Sequence, residues 1–185
     1  EQLERLSLTD KHMKLQKSLD AFLFCCYAGM RYSDFTNLSK KNIVDINQET
    51  WLIYKSVKTG TEVRLPLYLL FAGKGIVILN KYRNNLEDFF RLRDNSNINK
   101  DLIIIAKLAG LSKKISFHTA RHTNATLLIY NGVNITTVQK LLGHKSVKTT
   151  QVYTNIMDMT IVHDLEKIKQ AALGIKKKTD NSFNK

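Results

Sequence analysis

Across residues 43–67 the apolar residues alternate, while on either side they recur at intervals of three and four, and this one change of period fixes the class of fold. Trp51-Leu52-Ile53-Tyr54 and Val63-Arg64-Leu65 flank the turn-like Lys58-Thr59-Gly60, which predicts a small antiparallel sheet with Lys58 near its turn. Pro66, the only proline, ends that region. Ahead of it, Leu15, Leu19, Phe22, Leu23 and Cys26 mark an amphipathic helix that Gly29 interrupts just before Arg31. Ser33 and Asp34 are placed to cap a short second helix, with Arg31 in the connection. Beyond the sheet, helical spacing runs through residues 69–90 and 102–109, then through 119–130 and 135–142, the last closed by Gly143. Ser146 is the expected N-cap of a short helix carrying Tyr153, and Ile161, Leu165, Ile168 and Ala172 form a final apolar stripe. The expectation is a mainly α chain with a small antiparallel β-sheet, an α+β fold.

A length of 185 residues suits one domain with a sizeable core. Lys and Arg number 29 against 16 Asp and Glu, a net charge of +13 that favours a polyanionic partner, nucleic acid first. Cys25 and Cys26 are adjacent in an apolar run, where a disulfide between them would be strained and no metal-binding spacing exists, so they read as buried thiols in a reducing cytoplasm. No stretch approaches the roughly 18 apolar residues of a membrane helix, so no membrane partner is expected. Glu1 stands where an initiator Met would be, which raises the expectation of a fragment.

Metal-free phosphodiester transfer needs a nucleophile, cations for the non-bridging oxygens, and an acid for the departing 5′ oxygen. Arg31, Lys58, His118, Arg121, His144 and Tyr153 offer these, the two guanidiniums being shaped for phosphate. The strings AGMRYSDF around Arg31, KTG at Lys58, FHTARHTNAT around His118 and Arg121, LLGH at His144 and TTQVYTN around Tyr153 resemble, in order, the boxes of the tyrosine recombinases, the phage-type integrases. The nine-residue step from His144 to Tyr153 is similar to the family's.

That resemblance covers residues 5–172 and implies a catalytic domain with a small three-stranded sheet. It implies Tyr153 as nucleophile, forming a 3′ phosphotyrosine. Arg31, Arg121 and His144 hold the phosphate, His118 assists the tyrosine proton transfer and Lys58 protonates the leaving oxygen. No cofactor, metal or small-molecule substrate is required. Double-stranded DNA is the implied partner, with a homotetramer in the synaptic complex and a C-terminal tail exchanged between subunits. Residues 1–175 are expected to be the catalytic domain, without the helical DNA-clamping domain that precedes it in relatives, and residues 176–185 a disordered basic tail. The wording of the boxes points to the integrase of a mobile element. Two other readings stand beside it, a type IB topoisomerase-like relaxing enzyme and a catalytically silent DNA-binding protein of the same fold.

Several assignments stay open at this point. Asp34 either supports the active site or caps a helix. Lys58 is preferred to Lys55 only by its KTG context. His118 and His122 have the spacing of a helical zinc pair but lack the glutamate of HExxH, and His122 reads as a packing or hydrogen-bonding neighbour of the helix start.

Overall fold

The computed structural model describes residues 1–153 together with Leu165, Ile168 and Lys169. Eight α-helices are defined among the described residues, α1 (Gln16–Ala28), α2 (Tyr32–Thr36), α3 (Lys74–Lys81), α4 (Leu86–Phe90), α5 (Asn95–Leu108), α6 (Phe117–Tyr130), α7 (Ile135–Leu142) and α8 (Lys148–Gln151). Between α2 and α3 lies a three-stranded antiparallel sheet in the order β1 (Ile43–Ile46), β2 (Glu49–Lys55), β3 (Glu62–Pro66). The mainly α fold with a small antiparallel sheet is therefore as the change of period predicts.

The sheet turns one face inward. Leu52 pairs with Leu65 and Tyr54 with Val63, and all four are buried. Asn47 and Gln48 join β1 to β2 with φ of 52° and 66°, the twist that suits a two-residue hairpin turn. Helix α1 is the centre of the domain, packed against α3, α5 and above all α6, and it buries Cys25 and Cys26 as free thiols. A cluster of rings closes the core beneath α2. Phe35 meets Phe24, Phe89, Phe90 and Phe117 at centroid separations of 5.3–6.2 Å, most of them tilted or edge-to-face, the arrangements that ring quadrupoles favour. That cluster fixes the short helix that follows Arg31.

Four expectations need correction. The apolar spacing over 69–90 is not one helix, because Phe71 and Ala72 take left-handed conformations (φ 49° and 54°) and Asn85 then caps α4 by accepting from the Asp88 N–H. Helix α5 begins well before residue 102, capped by the Asp94 carboxylate, which accepts from the Asn97 N–H; its first turns are polar apart from the buried Ile98 and gave no apolar signal. Neither Ser33 nor Asp34 caps α2, whose N-cap is Arg31 in an extended conformation. Tyr153 lies just past α8 rather than within it. The stripe after residue 153 lies outside the described residues except at Leu165 and Ile168, which are 59% and 67% exposed, and residues 176–185 lie wholly outside them.

Two glycines make the close helix ends possible. Gly29 ends α1 at φ 67°, where a Cβ would lie 2.6 Å from Asn124 Oδ1 and 2.8 Å from Leu142 Cδ2. Gly143 ends α7 at φ 63°, where a Cβ would lie 2.6 Å from Val63 Cγ2. Gly110 is also left-handed, at φ 68°, but faces open space. Gly29→Ala and Gly143→Ala should therefore each lose about 2–4 kcal/mol in urea unfolding, from a left-handed alanine plus overpacking. Gly110→Ala should lose only about 1–2 kcal/mol. Equal losses at the three positions would show that the close contacts contribute nothing.

Candidate active site

Arg31 is delivered by the tight connection between α1 and α2, and its Nη1 lies 3.2 Å from Ser56 Oγ and 3.4 Å from Asp34 Oδ2. Asp34 is fully buried. Its carboxylate accepts the Val57 N–H at 2.8 Å and the Ser56 hydroxyl at 3.3 Å, so it ties α2 to the β2–β3 hairpin and orients Arg31 at once. Of the two readings left open by the sequence, the helix cap is not made, and Asp34 bonds the hairpin and Arg31 instead.

The hairpin carries Lys58, exposed at its tip. The turn closes through Ser56 N–H to Thr61 O and Gly60 N–H to Ser56 O, and the Thr59 hydroxyl donates to Gly143 O at 3.1 Å. Lys58 therefore sits between two anchors, one at Asp34 and one at the end of α7. A cleft of about 330 Å³ is lined by Arg31, Tyr32, Ser33, Lys58, Asn95 and His118. Lys55 is not among its lining residues.

Helix α6 carries His118 and Arg121 on a first turn closed by a capping box of Ser116 and Thr119. Arg121 is 1% exposed, yet it is a cation. Its Nη1 donates to Gly29 O at 2.7 Å and its Nη2 to Leu142 O at 2.5 Å, carbonyls at the C-terminal ends of α1 and α7, where a positive charge is favoured by the helix dipoles. Burial and the neighbouring Arg31 lower its pKa to about 10, which still leaves it charged at neutral pH. Among the described residues, two of its five N–H groups are used, both by these carbonyls.

His144 follows the α7 cap. Gln139 holds its backbone on both sides, accepting its N–H and donating to its carbonyl at 3.0 Å each. Its Nδ1 lies 2.9 Å from the hydroxyl of the buried Thr150. Burial, then the cations Arg121, Arg31 and Lys58, lower its pKa to about 4. With Thr150 as the donor of that bond, the neutral ring would carry its proton on Nε2. His118 is shifted downward as well, by burial first and then by His122, Arg121, Arg31 and Lys58. Lys58 thus acts on both histidines.

Tyr153 is 6% exposed and packs its ring 5.4 Å from that of His122, which in turn meets His118 edge-to-face at 4.4 Å. Burial raises the phenol pKa, and Arg121 and Arg31 oppose that rise. All seven predicted site residues are thus linked by contacts, a shared cleft or mutual electrostatics. Sequence reading missed Ser56, Thr59, Gln139 and Thr150, which position the others, and it placed His122 in packing without identifying its neighbours. Ser56, Thr59 and Thr150 lie within two residues of Lys58 or within the TTQVYTN string, the only signal they carry. Among the described residues no three His, Cys, Asp or Glu side chains are grouped as metal ligands.

The depressed His144 pKa has a consequence for folding. Below about pH 6.5 the unfolded chain takes up a proton that native His144 refuses until about pH 4, so this contribution to stability is complete above 6.5 and lost as pH falls toward 4. The wild-type urea midpoint should fall more steeply over that window than that of His144→Gln. Parallel curves would show that His144 titrates as it does in the unfolded chain.

The Phage integrase family model matches residues 1–159. The tyrosine recombinase XerC of Rickettsia prowazekii is 30% identical over 159 residues, 81% of this chain and 49% of that protein. XerD of Bifidobacterium longum is 50% identical over 171 residues, 83% of this chain and 54% of its own length. The chain therefore spans about half the length of the curated relatives it matches. Among solved structures, a post-cleavage complex of the XerH site-specific recombinase bound to palindromic difH substrate superposes with a TM-score of 0.65 at 19% identity, over 91% of this chain and 50% of that one. With a family match across most of its length and the six predicted residues gathered in one fold, this chain belongs to the phage integrase family of tyrosine recombinases.

Proposed function

We propose that this domain cuts and rejoins double-stranded DNA in site-specific recombination, with Tyr153 as the nucleophile. The observation that carries the reading is the arrangement around the phenol, which is buried within the field of Arg31 and Arg121 and packed on the His122 ring that also touches His118. The Tyr153 oxygen attacks phosphorus, the bond to the 5′ oxygen breaks, and a 3′ phosphotyrosine remains. His118, kept neutral by its surroundings, takes the phenol proton, and Lys58 gives a proton to the leaving oxygen. Arg31, Arg121 and the Nε2–H of His144 hold the non-bridging oxygens as charge builds in the transition state. The 5′ hydroxyl of a partner strand then attacks the phosphotyrosine, restoring the phosphodiester and the tyrosine without ATP.

The exposed lysines Lys40, Lys41, Lys113, Lys114, Lys145 and Lys148 supply phosphate contacts beyond the site. XerH was captured on its DNA substrate, which supports DNA as the partner here. The assembly we propose is a homotetramer on DNA with exchanged tails, and the exposure of Leu165 and Ile168 supports a stripe that seeks a neighbour. We place the protein in the bacterial cytoplasm; among the described residues no helix is long and apolar enough to cross a membrane. The mobile-element assignment rests on the box sequences, and its test is whether transfer functions flank the gene.

Tyr153→Phe removes one hydroxyl and almost no volume, so it should keep the fold and DNA affinity and abolish the covalent band on nicked DNA. A persisting band would move the nucleophile elsewhere. Lys58→Ala should slow cleavage by roughly a hundredfold to ten-thousandfold, the usual range for general acid catalysis. Sulfur in place of the bridging 5′ oxygen leaves without a proton and should restore cleavage by Lys58→Ala, but not by Arg31→Ala or Arg121→Ala. Rescue of Lys55→Ala in place of Lys58→Ala would show that the other lysine is the acid.

A further inference from the structure

Tyr54 has the only buried side-chain oxygen or nitrogen among the described residues that lacks a hydrogen-bond partner. It lies on the inward face of β2, two residues before Ser56, whose hydroxyl meets Arg31 and Asp34. Its cross-strand partner Val63 is the residue that closes on Gly143, beside the Leu142 carbonyl that receives Arg121. Tyr54 thus stands on the strand segment that joins the Asp34 anchor to the residue packed on the end of α7. Asp34, Arg121 and Arg31 all act electrostatically on it, although burial dominates its raised pKa.

A hydroxyl buried without a partner costs free energy that phenylalanine at the same position would avoid. Two features suggest what offsets that cost. The bonds that hold Arg31 are long, 3.2 Å to Ser56 and 3.4 Å to Asp34, and among the described residues Arg121 uses two of its five N–H groups, on carbonyls. Arg31 therefore has play and Arg121 has spare donors. We infer that the Tyr54 hydroxyl is a positioning group for the arginine pair, an acceptor that takes a guanidinium N–H when a phosphate draws Arg31 and Arg121 into place. In that state the orphaned oxygen gains its partner and the planar cation loses the freedom to rotate away from the phosphate.

The inference rests on the recombinase reading, and the full chain with its Tyr54→Phe variant separates the two. In urea unfolding without DNA, Tyr54→Phe should be as stable as wild type or more so. On nicked DNA at saturating concentration, its single-turnover formation of the covalent complex should be slower by about tenfold to a hundredfold, the scale of a displaced transition-state contact. A methylphosphonate at the scissile position, which carries no charge for the arginines to hold, should narrow that deficit. A structural role alone would not produce such a narrowing. Equal rates for the two proteins on natural DNA would overturn the inference and leave the recombinase reading intact. So would a destabilised Tyr54→Phe, because the hydroxyl would then already be bonded in the DNA-free protein, or a deficit unchanged on methylphosphonate. A wild-type chain that forms no covalent complex would overturn both.

Discussion

The buried guanidinium of Arg121 is the contact on which the rest of the site depends. Taking a charge out of water is costly unless it is paired and hydrogen-bonded, and among the described residues no carboxylate is bonded to Arg121. Instead it donates to the carbonyls of two helix C-termini, whose partial negative charge offsets its own. One end belongs to α1, which leads directly to Arg31, and the other to α7, which leads directly to His144. A single cation thus sets the spacing between the segments that carry Arg31 and His144. Gly29 and Gly143 are needed for the same reason, since a side chain at either would push those carbonyls off the guanidinium.

Asp34 provides the complementary anchor. It compensates Arg31, while Arg121 is held among the described residues by carbonyls, so the pair keeps an excess of positive charge. The neighbouring histidines, whose pKa values are lowered first by burial, are lowered further by these cations. On the recombinase reading, a phosphate entering the cleft would relieve repulsion among groups already held close. The long contacts of Arg31 leave room for such a change.

The period of the apolar residues made the class of fold legible, and the box strings marked the residues with reactive groups. What stayed hidden was connectivity at long range. That Asp34 reaches the amide of Val57, or that Thr59 reaches Gly143, follows from how a hairpin is laid across two helix ends, and no local pattern encodes it. The run over 69–90 misled because apolar spacing survives a left-handed turn at Phe71 and Ala72 that breaks the helix. Helix α5 began earlier than expected because asparagines and a lysine fill its first turns, and its cap at Asp94 was the better signal.

The bond between His144 and Thr150 has one more consequence. The short segment carrying Thr150 also leads to Tyr153, so its local opening would withdraw Tyr153 and release the His144 ring together. Because α7 is tied to the Lys58 turn through Thr59, fraying that spread further would loosen Lys58 as well. On the recombinase reading, such a site is lost as a unit. Partial unfolding of that segment would then silence the site outright rather than leave it half competent.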